Sequence, residues 1–230
     1  MEWAEFISPT DYYDFGFGNP TGRAEGIGYV QELIARLEHQ LISSPNSSVN
    51  STLDSSLSTF PLDQKFYADF THDDIIISVL TALSLDYLRD PPTLTQFPPN
   101  LNQTFIISHL TPFGANLETE TIGCASQSPE PIRASRVQYT PTQYGYNPEN
   151  ATYKFIRMRL NNGILPLNTI RGGACGDANS GRVDGMCALE DFLLSQQNST
   201  ALANYQYACF GNYTITNATS GEDYDGTIFA

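Results

Sequence analysis

Positive charge is scarce in this sequence. Against 25 Asp and Glu stand only 11 Lys and Arg, a formal net charge of −14 at pH 7. Nothing in that balance attracts a nucleic-acid backbone or an anionic membrane, so neither is expected as a partner. The acidity itself supports two readings, solubility and work at low pH, where many carboxylates are partly protonated. Long apolar runs are missing too: no stretch reaches the ~20 residues of a membrane span. The opening MEWAEFISPT has no basic start and no apolar run, and so no export signal. Histidine occurs at three positions only, His39, His72 and His109. Cys-x-x-Cys is absent and no histidine lies near a cysteine, which argues against a zinc site. Neither a metal nor a cofactor is expected.

What the chain does contain points outward. Its 230 residues, 40% of them hydrophobic, suffice for one core or a large piece of one. Asn-x-Ser/Thr acceptors occur at Asn46, Asn50, Asn102, Asn150, Asn198, Asn212 and Asn217. Seven exceed the roughly three that chance supplies at this composition, so a secreted, extracellular glycoprotein is expected. A secretory composition without an export signal predicts that an N-terminal part is missing. Four cysteines fit the same compartment. Cys175 and Cys187 flank a Gly-rich loop and are expected to form a local disulfide, worth about 3 kcal/mol. Cys124 and Cys209 are left to pair with each other or with cysteines upstream.

Residues 1–22 form a Gly- and aromatic-rich segment ending in the turn Gly18-Asn19-Pro20. Ile27, Val30, Leu33, Ile34, Leu37 and Leu41 recur at helical spacing, predicting a helix over 26–41. Residues 43–59 read as a polar loop. Lys65–Thr71 reads as a strand that runs into His72-Asp73-Asp74 and then into a buried helix, IIISVLTALSL. Two further strands are expected in FIISHLTPFG (105–114) and LETETIGC (117–124). Residues 125–150 read as a long polar excursion. TYKFIRMRL and ILPL then form a hairpin whose turn is Asn162-Gly163. Glu190–Gln197 is a short helix, and the tail after Cys209 is polar and loosely held.

The strand–corner–helix unit carries the chemistry. A helix N-terminus presents unpaired N–H groups and partial positive charge, a seat for an anion. A protonated His72 adds positive charge there in an acidic medium. Asp73 can donate a proton to a leaving oxygen if its environment keeps one on it. The plainer reading is that Asp73 is an N-cap worth about 1 kcal/mol and His72 a bystander. A third possibility uses the pair as metal ligands, for which His39 and His109 are poorly placed.

The wider context favours catalysis. FYADFTHDDIIISVLTALSL resembles the His-Asp segment of the histidine acid phosphatases, and GNPTGRAEGIGYVQELIARL resembles the segment that precedes it in the fungal phytase branch. LDSSLSTFPLDQKFYADF, HLTPFGANLETETIGC, the ILPL strand before Cys175 and the late YACF follow in that family's order. The resemblance covers roughly residues 11–210, and the domain portion is taken as 23–210, with 211–230 as a polar tail. It implies the C-terminal part of a phosphoglycerate-mutase-like α/β sandwich with a central mixed sheet, Lys65–Thr71 being one of its strands. It implies that His72 contacts the phosphate, that Asp73 protonates the leaving alcohol and that Asp74 lies near the substrate. The family nucleophile belongs to an Arg-His-Gly-x-Arg-x-Pro motif that this sequence does not contain. The resemblance therefore implies an acid phosphomonoesterase of the phytase type, acting on phytate-like phosphate monoesters without a cofactor. Its phosphohistidine comes from an upstream half of the same protein, which is the one macromolecular partner expected. This chain alone is expected to be inactive. The resemblance also favours cross-links from Cys124 and Cys209 to upstream cysteines. A non-catalytic secreted glycoprotein of the same fold is the alternative.

Overall fold

The computed structural model describes residues 7–95, 102–131, 148–176, 181–212 and 225–228. They divide into two compact units, Met1–Ala115 with Gln197–Ala230, and Asn116–Gln196.

The first unit is helical. Helix α1 (Ser8–Asp14) leads to α2 (Gly22–Glu38), which packs along α4 (Asp73–Ala82). Ala24, Ile27, Val30 and Leu33 of α2 meet an interior shared with Ile76, Ile77, Val79 and Leu80 of α4. The two backbones nearly touch at Gly26, where a Cβ would lie 2.1 Å from the carbonyl oxygen of Ser78. Only glycine permits that approach. The helix expected over 26–41 starts earlier and stops at Glu38, because His39 turns left-handed with φ 55°. Helix α3 (Ser51–Asp54) is capped by the Asn50 side chain, which accepts the Thr52 N–H at 3.1 Å.

Three expectations fail in this unit. Lys65–Thr71 is not a strand: among the described residues no neighbouring strand exists for it to pair with, although its side chains do alternate. In 105–114 a short helix, α5 (Ile107–Leu110), replaces the expected strand. Phe105 is buried edge-on to Tyr12 at 5.2 Å, and Ile107 N–H donates to Ser8 Oγ at 3.0 Å, so α1 takes the contacts a sheet would have used. The tail is not wholly loose. Buried Arg23 donates to the Asp225 carbonyl at 2.7 Å and to Ser84 Oγ at 2.6 Å, while its own N–H donates to the Gly226 carbonyl at 3.0 Å. Helices α7 (Ser199–Ala203) and α8 (Tyr205–Phe210) also belong here.

The second unit is built on a sheet whose pairings, among the described residues, are all antiparallel. Strand β1 (Leu117–Cys124) lies along β2 (Tyr153–Leu160), and β2 also pairs with the short β3 (Gly163–Ile164) and β4 (Cys187–Ala188). Ile156, Met158 and Leu160 point inward. Arg157 and Arg159 point the other way, onto Glu120 at 2.7 and 2.8 Å. The hairpin turn falls one residue earlier than expected: Asn161 and Asn162 take φ of 51° and 68°, and Gly163 already pairs with Leu160. Asparagine tolerates that conformation, so the primed turn forms without glycine at its centre. Cys175 and Cys187 form the expected disulfide, with Cα atoms 5.2 Å apart. Helix α6 (Leu189–Ser195) seals this unit with Phe192.

Candidate active site

The corner between residue 71 and α4 has the backbone form anticipated for it. His72 is extended, with φ −93° and ψ 162°, and helical geometry begins at Asp73. Both side chains are exposed to solvent, and Asp74 is half-buried. Neither acid is the N-cap: that position is His72, which makes no side-chain capping bond, so the plainer reading of Asp73 as an N-cap does not hold. Asp73 accepts the Asp74 N–H at 3.2 Å, and Asp74 accepts the Ile75 N–H at 2.9 Å. The first turn of α4 thus spends part of its donor capacity on its own carboxylates.

Helices α1 and α2 surround this corner with more acid. Asp11 is held above the usual carboxylate range, first by burial and then by the charges of Asp73, Asp14 and Asp74. Glu25 is also raised, chiefly by burial, with Asp74 and Asp14 adding. Ser78 and Asn19 donate hydrogen bonds that partly offset this, at 3.2 and 3.3 Å. Five acids therefore converge where the sequence singled out two with a histidine. Asp11 and Glu25 were missed because only tertiary packing brings α1 and α2 to this point. The one local hint is that Asp11 and Asp14 lie three apart, on one side of a helix.

The other candidates are scattered. His39 ends α2, 3.8 Å from Asp63, and His109 sits in α5. Among the described residues, no group of three or more His, Cys, Asp or Glu is arranged to hold a metal ion. Cys124 closes β1 and Cys209 is exposed in α8, both without a disulfide partner among the described residues. Of the glycosylation acceptors, Asn46, Asn50, Asn102, Asn150, Asn198 and Asn212 are exposed, and Asn217 lies outside the described residues. No helix among them is long and apolar enough to cross a membrane.

Comparison with known proteins identifies the family. Residues 2–161 match the histidine phosphatase superfamily (branch 2), and the chain belongs to that family. Among its relatives is Phytase A of Aspergillus awamori, 44% identical over 136 residues, covering 57% of this chain and 28% of that protein. Phytase A of Emericella nidulans is 39% identical over 177 residues, covering 75% and 37%. Phytase A of Aspergillus fumigatus is 35% identical over 176 residues with the same two coverages, 75% and 37%. The chain thus spans between about a quarter and two-fifths of the length of these relatives.

Proposed function

We propose that this chain forms part of a phosphate-monoester hydrolase of the phytase type. Family membership and the position of His72-Asp73 at the start of α4 support this reading. The phosphate sits against the N–H groups of the first turn of α4 and against His72. A histidine from polypeptide outside these 230 residues attacks phosphorus, and the P–O bond to the alcohol breaks. Asp73 gives its proton to the departing oxygen, then accepts one from the water that hydrolyses the phosphohistidine and releases phosphate. The acids around the corner oppose highly anionic substrates. Among phytate-like monoesters, inositol phosphates with fewer phosphate groups are therefore expected to bind more readily than inositol hexakisphosphate.

The segment leading to His72 supports the need for that outside polypeptide. Tyr67 and Asp69 face Arg36 of α2, while Phe66 and Phe70, on the alternate positions, are 81% and 96% exposed. No backbone group of 65–71 is paired with another among the described residues. The segment's side chains alternate as a strand's would, one side seated on Arg36 and the other exposed, which supports a neighbouring strand supplied by that outside polypeptide. The Cys175–Cys187 disulfide and the six exposed acceptors support a secreted glycoprotein.

The test is an assay with p-nitrophenyl phosphate at pH 5. The chain alone should show no turnover. Co-expression with the upstream segment of the Aspergillus awamori relative should produce activity that resists a chelator and falls about 100-fold in Asp73→Asn. Turnover by the chain alone that disappears in His72→Ala would overturn the assigned roles. Failure of every combination to hydrolyse would favour the non-catalytic glycoprotein.

A further inference from the structure

Helix α2 carries a second acidic contact that the active-site reading does not use. Asp54, the last residue of α3, is 7% exposed, and its Oδ2 finds no hydrogen-bond partner among the described residues. A buried carboxylate oxygen without a donor is costly. The Glu32 and Asp54 carboxyls are close enough to share a hydrogen bond when one of them carries a proton. The remaining groups facing Glu32 are Tyr29, Arg36 and Asp69. Arg36 reaches Glu32 at 3.2 Å and Asp69 at 2.6 and 3.2 Å. Its guanidinium is stacked between the rings of Phe60 and Tyr67, at 5.3 and 4.8 Å. Arg36 thus touches both the loop that ends at Phe60 and the segment that ends at His72.

We propose that Glu32 keeps a proton in acid and donates it to Asp54 Oδ2, latching residues 40–62 onto α2 and leaving Arg36 to Asp69. When the proton leaves, Glu32 repels Asp54 and becomes a second ionised claimant on Arg36. The latch then opens, and the hold on the approach to His72 weakens with it. Burial first, and then the charge of Asp54, push the Glu32 carboxyl up to about 6, Arg36 opposing and Asp69 adding. The folded value exceeds the ordinary 4.5, so the stabilisation is complete below about 4.5 and is lost as pH rises through about 6. This device goes beyond the phosphatase reading and operates whether or not the chain takes part in hydrolysis.

Amide hydrogen exchange on the 230-residue chain reads the latch directly. The Ile42 N–H donates to the Asp54 carbonyl at 3.0 Å, and the Phe60 N–H to the Ser56 carbonyl at 2.8 Å. After correction for intrinsic rates, their protection should fall roughly tenfold between pH 4.5 and pH 7. In Glu32→Gln the side-chain amide donates to Asp54 at every pH, so protection should stay level. Carbon-13 NMR of the wild-type Glu32 carboxyl, which needs no variant to fold, should give a midpoint near the raised value, returning toward normal in Asp54→Asn. An ordinary Glu32 midpoint, pH-independent protection in the wild type, or the same loss in Glu32→Gln would each overturn the latch.

Discussion

In the helical unit carboxylates crowd against other carboxylates, whereas in the sheet unit they are matched with arginines. Asp11, Glu25 and Glu32 are all raised, each first by burial and then by neighbours that include further acids. Glu120 of β1 goes the other way. Burial alone would raise it, but hydrogen bonds from Arg157 and Arg159 outweigh burial and lower it. A net charge of −14 is therefore unevenly felt. Asp11, Glu25 and Glu32 hold their protons more tightly on folding and Glu120 holds its proton less tightly, so these groups respond oppositely to acid.

The largest effect that tests this contrast is steric. Gly26→Ala pushes a methyl group into the Ser78 backbone and should cost the helical unit about 3 kcal/mol. Denaturant melts followed by hydrogen exchange should show that loss in α2 and α4 while β1 and β2 keep their protection. Next comes the disulfide, where Cys175→Ser with Cys187→Ser should cost about 3 kcal/mol or somewhat less, confined to the sheet unit. Loss spreading equally to both units would mean that they do not fold as separate bodies. Third, Glu120→Gln should cost the sheet unit about 1 kcal/mol at pH 7, reduced by solvent screening. The native contribution is present above the ordinary carboxylate value and disappears as pH falls below it, so the variant and wild type should converge in acid. Smallest is Asp11→Asn. Removing a carboxylate held against its neighbours should stabilise the helical unit by about 0.5 kcal/mol at pH 7 and by nothing at pH 3. Destabilisation by that variant at pH 7 would show that Asp11 makes a contact worth more than the repulsion it suffers.

Local pattern made much of this legible. The amphipathic spacing from Ile27 to Leu37 gave α2, and the apolar run after Asp74 gave α4. The β2–β3 hairpin and the Cys175–Cys187 bridge also followed from short-range signals. Failures share a physical cause, namely dependence on partners distant in the chain. Lys65–Thr71 has strand chemistry, yet a strand exists only as a pair. The apolar residues 105–107 fit strand or helix equally, and contact with Ser8 and Tyr12 decided between them. At the candidate site, His72, Asp73 and Asp74 were readable because they are consecutive. Asp11 and Glu25 were not, since nothing in their own segments announces that α4 begins beside them.

Arg23 draws a different consequence from the way the helical unit is closed. Its guanidinium is buried, and one of its acceptors, the Asp225 carbonyl, lies 202 positions further along the chain. The cation that α2 carries is therefore fully bonded only when a carbonyl far along the chain has folded back onto it. A contact so remote in sequence closes slowly. The helical unit is thus closed by a contact between residues far apart in sequence, whereas the pairings of the sheet unit all fall within residues 117–188.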